Sequence, residues 1–139
     1  MILLDASGLF EALNPDQRLS ASCRAILESE EPPLVLSPFV LAELDYLLSK
    51  RTRTDRAALA LLDEVARTTY LLAEFGSKDV AAAATVIRRH RDLRVGLADA
   101  SLVVLAERYG TNRVLTLDER HFRALRVGRR PFVVLPADT

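Results

Sequence analysis

The sequence has little of several residues on which common functional sites depend. Its 139 residues include one cysteine, two histidines and no tryptophan. A single cysteine excludes an internal disulfide and a thiolate metal cluster, and the place of Cys23 in a helical pattern predicts a small buried hydrophobe. With so few cysteines and histidines, nucleophilic triads and zinc sites have little support.

Long apolar runs and an excess of one charge are also missing. No stretch approaches the ~18–20 apolar residues that a membrane span needs. Met1 leads straight into a short apolar segment, without the basic start of a secretory leader. We therefore expect a soluble, cytoplasmic protein. The 19 basic and 19 acidic residues balance, so affinity for nucleic acid would have to come from local patches.

Arginine supplies nearly all of the positive charge, because Lys50 and Lys78 are the only lysines. Its planar guanidinium suits phosphate oxygens better than an ammonium group does. A solvated helix face nevertheless explains each arginine cluster taken alone. The clusters are Arg51, Arg53 and Arg56; Arg88, Arg89, Arg91 and Arg94; and Arg123, Arg126, Arg129 and Arg130.

The order of apolar segments predicts one α/β domain over residues 1–139, since a domain typically has ~100–150 residues. Short apolar strands alternate with amphipathic helices, a pattern typical of a parallel sheet covered on both faces. Strands are expected at 2–5, 34–36, 70–72, 113–117 and 132–135. Helices are expected at 7–13, from a cap at Asp16 to 30, from a cap at Ser37 to 50, at 54–67, from a cap at Ser77 to 91, from 97 to 109 before Gly110, and at 118–125.

Four acidic residues stand where an apolar segment ends or inside an apolar helix: Asp5, Glu43, Asp99 and Asp118. An unpaired buried carboxylate costs of the order of ~5 kcal/mol, so four of them are hard to explain by packing. A shared divalent cation would remove this cost. Asp5 and Asp118 each follow a strand, at the sheet edge where open α/β folds bind ligands. Each could equally cap the helix that follows it.

Helical spacing decides how Glu43 is interpreted. Phe39 at i−4 and Leu47 at i+4 place Glu43 on the apolar side of its helix. The same spacing assigns Asp45 to solvent. Asp99 lies in a helix that is apolar almost all round, although the first turn also suits an acidic side chain through the helix dipole.

Two hydroxyl residues and two histidines complete the set of candidates. Ser7 could bind a phosphate oxygen or act as the true helix cap, and Thr116 should face the same side as Asp118. We interpret His121 as a structural or surface residue and His90 as solvated. A ligand set made only of oxygen atoms indicates magnesium or manganese.

Four segments make the chain similar to the PIN-domain nucleases, and within them to the toxins of VapBC-type toxin–antitoxin pairs. They are Leu3-Leu4-Asp5-Ala6-Ser7, Ser37-Pro38-Phe39-Val40-Leu41-Ala42-Glu43-Leu44, Leu97-Ala98-Asp99-Ala100-Ser101-Leu102 and Leu115-Thr116-Leu117-Asp118-Glu119-Arg120-His121-Phe122. Each is weak alone, but their order in a chain of this length is specific. The resemblance implies a PIN-like three-layer sandwich, with a mainly parallel sheet of four to five short strands and helices on both faces.

The resemblance also implies a function. It indicates an Mg²⁺- or Mn²⁺-dependent endoribonuclease that inhibits translation until a VapB-like antitoxin neutralises it. Homodimers, and larger assemblies with the antitoxin, are implied as well. The family's acidic positions carry over to Asp5, Glu43, Asp99 and Asp118, with Ser7 and Thr116 as supporting residues.

An antitoxin helix could bind between the two helices of residues 38–67. The leucines offered there, Leu44, Leu48, Leu59 and Leu62, could instead fill the protein's own core. By the resemblance, an antitoxin arginine could reach the acidic site.

Other functions remain open at this point. The main alternative is a PIN-like module that binds RNA or a protein without cleaving anything. A dehalogenase-type phosphoryl transferase would need an acid where Ser7 stands, and a receiver domain would need a lysine after Lys78. Metal-assisted phosphate chemistry does not by itself separate RNA from DNA, and the RNA target is not readable from these residues.

Overall fold

Seven short strands are present in the computed structural model, which describes all of residues 1–139. They are β1 (Ile2–Leu4), β2 (Leu34–Leu36), β3 (Leu71–Leu72), β4 (Arg113–Leu115), β5 (Arg126–Val127), β6 (Arg130–Pro131) and β7 (Val133–Leu135). Five of them form a parallel sheet in the order β3-β2-β1-β4-β7. The predicted parallel sheet is confirmed. The small antiparallel pair β5–β6 was not expected.

Seven α-helices flank this sheet. They are α1 (Ala6–Leu13), α2 (Ser20–Ser29), α3 (Pro38–Thr52), α4 (Arg56–Ala66), α5 (Ser77–Arg89), α6 (Leu97–Tyr109) and α7 (Glu119–Ala124), with a short 3₁₀ helix at Arg91–Leu93. The chain runs from β1 outward to β3 at one edge and then returns through β4 to β7 at the other. Because parallel crossovers are right-handed, this reversal places helices on both faces of the sheet.

The reversal of strand order also fixes where a ligand site can lie. In open α/β sheets the ligand crevice is found beyond the carboxyl ends of the two strands at which the order reverses. Here those strands are β1 and β4, which pair in register at Leu3 with Val114 and Leu4 with Leu115. All four of these side chains are fully buried, so the crevice has a rigid floor.

Helix starts and stops follow local chemistry, with two corrections to the expected boundaries. Helix α3 begins as expected after Ser37, whose Oγ accepts the backbone N–H of Phe39 at 3.2 Å. Helix α6 ends at Gly110, which adopts the left-handed conformation that glycine tolerates best (φ 68°). The α5 cap is Gly76 and not Ser77, since Asp79 reaches back to accept the Gly76 N–H.

The start of α2 is the larger correction. We expected Asp16 to cap it, but the helix begins at Ser20. Buried Glu11 on α1 accepts the backbone N–H of Leu19 at 2.9 Å. This bond holds the preceding segment in a turn, so the helix starts one turn later. Cys23, on α2, is fully buried as predicted. None of the helices is both long enough and apolar enough to span a membrane.

Candidate active site

Asp5 lies at the carboxyl end of β1 and is almost completely buried, with 5% of its surface exposed. Its Oδ2 accepts hydrogen bonds from the hydroxyls of Thr116 at 2.6 Å and Ser7 at 3.0 Å. Asp5 occupies the position before α1, but its side chain makes no capping hydrogen bond. The capping interpretation is therefore wrong for Asp5, whose carboxylate instead belongs to a network at the sheet edge.

The two hydroxyls also hold the segment that leads to Asp118. Ser7 Oγ accepts the backbone N–H of Leu117 at 3.0 Å, and Thr116 Oγ1 accepts that of Asp118 at 2.9 Å. Each hydroxyl thus donates to Asp5 and accepts from the loop after β4. Ser7 and Thr116 therefore fix two acidic segments relative to each other.

Helix α1 can approach this loop only because residue 8 is glycine. A Cβ at Gly8 would lie 2.5 Å from the carbonyl oxygen of Leu115 and 2.8 Å from its Cγ. The close approach brings Ser7 to the end of β4, where its hydroxyl completes the network. Sequence reasoning overlooked Gly8, because a glycine in a short helix gives no local sign of a long-range contact.

Asp99 and Asp118 converge on His121. Nδ1 of His121 lies 2.8 Å from Asp99 Oδ2 and 2.9 Å from Asp118 Oδ2. The side chains are partly enclosed, with exposed fractions of 17% for Asp99, 33% for Asp118 and 18% for His121. Asp118 also caps α7, since its Oδ1 accepts the His121 backbone N–H at 3.1 Å. The capping interpretation of Asp118 is therefore confirmed, and its other carboxylate oxygen is left to contact the His121 ring.

His121 is not the surface residue that the sequence interpretation allowed, since its side chain is 18% exposed and its ring contacts two of the candidate acids. A clue was present in the sequence, because a residue three positions after an N-cap lies in the first helical turn beside the capping side chain. The third contact of the ring, from Nε2 to the backbone oxygen of Leu93 at 3.0 Å, depends on the tertiary fold and was not predictable.

The carboxylates destabilise one another in their charged forms. Burial, followed by the charge of Asp5, raises the pKa of Asp99 to about 6, although the bond to His121 acts in the opposite direction. Burial also raises the pKa of Asp5, against the lowering effect of the Thr116 and Ser7 hydroxyls. Perturbed groups of this kind in a crevice are typical of functional sites.

Glu43 lies at the margin of this cluster, and the expected burial was wrong. The buried residues of α3 are Val40, Leu44 and Leu48, whereas Glu43 is exposed and Asp45 is half-buried. Helical spacing identified an apolar side of α3, but it did not show which residues of that side face the core. Glu43 is nevertheless coupled to the site, since local burial and then the charge of Asp5 raise its pKa.

A buried hydrogen bond ties the helices that carry Glu43 and Asp99. Ser101 on α6 donates to the backbone oxygen of Ala98 at 2.6 Å. The hydroxyl of Ser37, at the start of α3, lies 2.7 Å from that of Ser101. Because the Ser101 hydrogen is already used, Ser37 is the donor between them. The bond fixes the start of α3 against the first turns of α6.

Two acids with enclosed side chains, Glu11 and Glu30, were not predicted from the sequence and have structural partners instead. Glu11 accepts the N–H of Leu19, and Glu30 forms an ion pair with the guanidinium of Arg113 and a second, at 3.5 Å, with the amino terminus. Burial of an acid therefore does not by itself identify the site. The candidate residues differ because their nearest charged neighbours include other carboxylates.

The donor set fits a divalent cation. Asp99, Asp118 and His121 each offer one ligand atom, and these atoms all lie within 4.8 Å of one another. Asp5 and Glu43 add negative charge that bears on the same region. Carboxylate oxygens suit hard divalent ions.

Comparison with known proteins agrees with this geometry. The PIN domain family model matches residues 2–127. Ribonuclease VapC26 of Mycobacterium tuberculosis (strain ATCC 25618 / H37Rv) is 43% identical over 139 residues, covering 97% of this chain and 100% of that protein. The crystal structure of M. tuberculosis VapC20, a toxin that cleaves the sarcin-ricin loop, matches in fold with a TM-score of 0.78. That match has 20% identity and covers 86% of this chain and 91% of the other. The chain therefore belongs to the PIN-domain family and, within it, to the VapC type.

Proposed function

We propose that the protein is a metal-dependent endoribonuclease and the toxic component of a type II toxin–antitoxin pair. The observation that carries the proposal is the convergence of Asp99 and Asp118 on His121, near enough to Asp5 for the charge of Asp5 to raise the pKa of Asp99. Glu43 lies at the margin, where the charge of Asp5 also raises its pKa. The relative that is 43% identical along its whole length is named a ribonuclease, which favours RNA over DNA as the substrate. Magnesium or manganese is the proposed ion.

The residues of the chain would hold the ion and position the phosphodiester. Asp99 and Asp118 would offer oxygen ligands, and buried Asp5 and exposed Glu43 would add negative charge to the same region. A bound divalent cation would supply Lewis-acid chemistry suited to activating a water and to offsetting charge on the leaving oxygen. Ser7 and Thr116 keep Asp5 in place by hydrogen bonding to the same carboxylate oxygen.

The α3–α4 hairpin is the proposed antitoxin site. Leu44 and Leu48 are buried, so these two leucines fill the protein's own core and are not available to a partner. On α4, however, Leu59 is 51% exposed and Leu62 is 38% exposed. A nearby apolar groove is lined by Leu13, Leu48, Ala57, Ala60, Leu61, Glu64 and Tyr70. An amphipathic antitoxin helix could bury these leucines, and one of its arginines could reach the acidic site.

The assembly and location follow the same proposal. We infer one domain over residues 1–139, because the buried side chains form one contiguous cluster. We propose a homodimer that forms a larger hetero-oligomer with its antitoxin and acts in the cytoplasm. Co-purification with a small DNA-binding protein encoded immediately upstream would support the toxin role. Size measurement of that complex would give its composition.

Cleavage of total cellular RNA by the purified, partner-free chain tests the nuclease. We expect discrete fragments with Mg²⁺ or Mn²⁺, and none with chelator. Asp99→Asn should lower the cleavage rate by at least about a hundredfold, in the range seen for removal of one group that stabilises the transition state. Intact RNA from a folded, metal-binding protein would instead favour the non-cleaving binding module.

A matched pair on α3 isolates the site from general charge effects. Glu43→Gln and Asp45→Asn each remove one negative charge from the same helix, two positions apart. The pKa coupling to Asp5 involves Glu43. We expect Glu43→Gln to lower cleavage and Asp45→Asn to leave it unchanged. Equal losses in both variants would mean that Glu43 acts only through the net charge of α3.

A further inference from the structure

The imidazole of His121 is held at both of its nitrogens. Nε2 lies 3.0 Å from the backbone oxygen of Leu93, at the end of the 3₁₀ helix that precedes α6. A carbonyl oxygen can only accept, so Nε2 carries the hydrogen. In the neutral ring, the lone pair is then on Nδ1.

Nδ1 faces the two carboxylates of the candidate metal site. It lies 2.8 Å from Asp99 Oδ2 and 2.9 Å from Asp118 Oδ2. Adjacent ligands of an octahedral ion with bonds of about 2.1 Å lie roughly 3 Å apart. The two distances from Nδ1 are therefore those of neighbouring ligands around one small cation, and the ligand atoms of all three residues lie within 4.8 Å of one another.

The outer contact of the ring has the form found at metal-binding histidines. Such a histidine almost always donates its second N–H to a carboxylate, a backbone carbonyl or water, which fixes the ring and its tautomer. The Leu93 carbonyl provides this contact. We propose that His121 binds the metal through Nδ1, as a nitrogen ligand beside Asp99 and Asp118. The inference rests on the proposed function, which requires a metal at this site.

A nitrogen ligand changes which ion the site prefers. Carboxylates suit Mg²⁺ and Mn²⁺ alike, whereas imidazole favours transition-metal ions. The sequence had indicated a site made only of oxygen ligands. With His121 included, Mn²⁺ should bind more tightly than Mg²⁺, and the loss of His121 should reduce that preference.

Pulsed electron paramagnetic resonance of bound Mn²⁺ tests the proposal directly. A directly bound imidazole nitrogen modulates the Mn²⁺ electron spin echo. The chain has only two histidines, so the signal can be assigned with one variant of each. We expect ¹⁴N modulation in the wild-type protein and in His90→Gln. In His121→Gln it should be lost.

Equilibrium binding supplies the second readout. We expect His121→Gln to weaken Mn²⁺ binding by roughly ten- to hundredfold. Loss of a residue that only hydrogen-bonds to a metal ligand already has an effect of this size, so loss of the ligand itself should have at least as large an effect. Mg²⁺ binding should change less. His90→Gln should leave both affinities unchanged, and circular dichroism should confirm that each variant is folded.

The two possible failures are distinguishable. Mn²⁺ that binds the wild-type protein without ¹⁴N modulation would overturn the ligand role, leave the proposed nuclease intact, and make His121 only an ion-pair partner of the acids. No Mn²⁺ binding by the wild-type protein would contradict both proposals. Because the decisive spectrum is that of the wild type, the test does not depend on the folding of a variant.

Discussion

Ionised Asp99 lowers the stability of the folded, metal-free protein. Its carboxylate is largely enclosed and lies near the charges of Asp5 and Asp118, while His121 offsets only part of their effect. The folded-state pKa of about 6 lies above the ordinary value of 3.8. A raised carboxyl pKa means that the charged form is less stable in the folded chain than in the unfolded one. In the metal-free protein, ionised Asp99 therefore opposes folding.

Asp99→Asn should stabilise the metal-free protein while abolishing its proposed activity. Above pH ~6 the wild type carries the full cost of the charge, so the variant should be more stable by about 1–3 kcal/mol. As the pH falls from about 6 towards 4, the folded wild type takes up a proton and the difference disappears. Urea denaturation in chelator across this pH range measures it. A variant less stable than wild type at neutral pH would refute the charge argument.

Asp138 is a control for Asp99, because its pKa is shifted in the opposite direction. Its hydrogen bond to Arg123, together with the backbone N–H of Val134, lowers its pKa from 3.8 to about 2. A lowered carboxyl pKa gives stability that is present above the unfolded value and lost as the pH falls through the folded value. Asp138→Asn should therefore destabilise the protein at neutral pH, and the effect should shrink in acid.

Gly8→Ala should destabilise the fold at the contact that closes the site. The new methyl would overlap the backbone of Leu115. Because Leu115 lies in a buried strand, its backbone cannot easily shift to relieve the overlap. Overpacking of this kind costs about 1–3 kcal/mol. Gly76→Ala is the comparison variant, since nothing lies within 4 Å of a Cβ there. It should lose only the preference of the α5 N-cap for glycine over alanine, about 0.5–1 kcal/mol. Chemical denaturation should show a larger loss for Gly8→Ala than for Gly76→Ala.

At the level of elements, the tie between α3 and α6 connects two of the acidic segments. Ser37→Ala and Ser101→Ala should each lower stability by about 1–2 kcal/mol. Ser101→Ala leaves the Ser37 hydroxyl hydrogen without its acceptor, and Ser37→Ala leaves the Ser101 oxygen without its donor. The double variant should lose less than the two single losses added together, by about 0.5–1 kcal/mol. A double-mutant cycle in urea measures this coupling. Strict additivity would mean that the bond does not join the helices.

Elements with local signals were predictable, and those set by distant contacts were not. Helix α6 has the expected bounds, because an apolar run ends at a glycine suited to the left-handed conformation. The start of α2 was misplaced because a buried carboxylate on α1 holds the preceding turn. Apolar context correctly predicted the burial of Asp5 but not the exposure of Glu43. The position of Glu43 on α3 and the contacts of His121 depend on how the helices meet the sheet.

At the scale of the whole molecule, balanced net charge leaves RNA binding to local fields. The chain has 19 basic and 19 acidic residues, yet the proposed site gathers several carboxylates in one crevice. A phosphodiester that enters this crevice without a metal meets like charge, which costs several kcal/mol. Metal should therefore increase RNA affinity as well as permit cleavage.

Fluorescence anisotropy with a labelled RNA tests this, with rapid mixing so that binding is read before cleavage. Wild-type affinity should rise at least about tenfold with Mn²⁺ relative to chelator, equivalent to about 1.4 kcal/mol. Asp99→Asn combined with Asp118→Asn should bind RNA in chelator more tightly than wild type does, since the repulsion is gone and asparagine still caps α7. Asp45→Asn combined with Asp63→Asn also removes two negative charges, but away from the site. In this variant Mn²⁺ should raise RNA affinity as much as it does in the wild type. If both double variants gained equally in chelator, net charge and not the acidic crevice would control RNA binding.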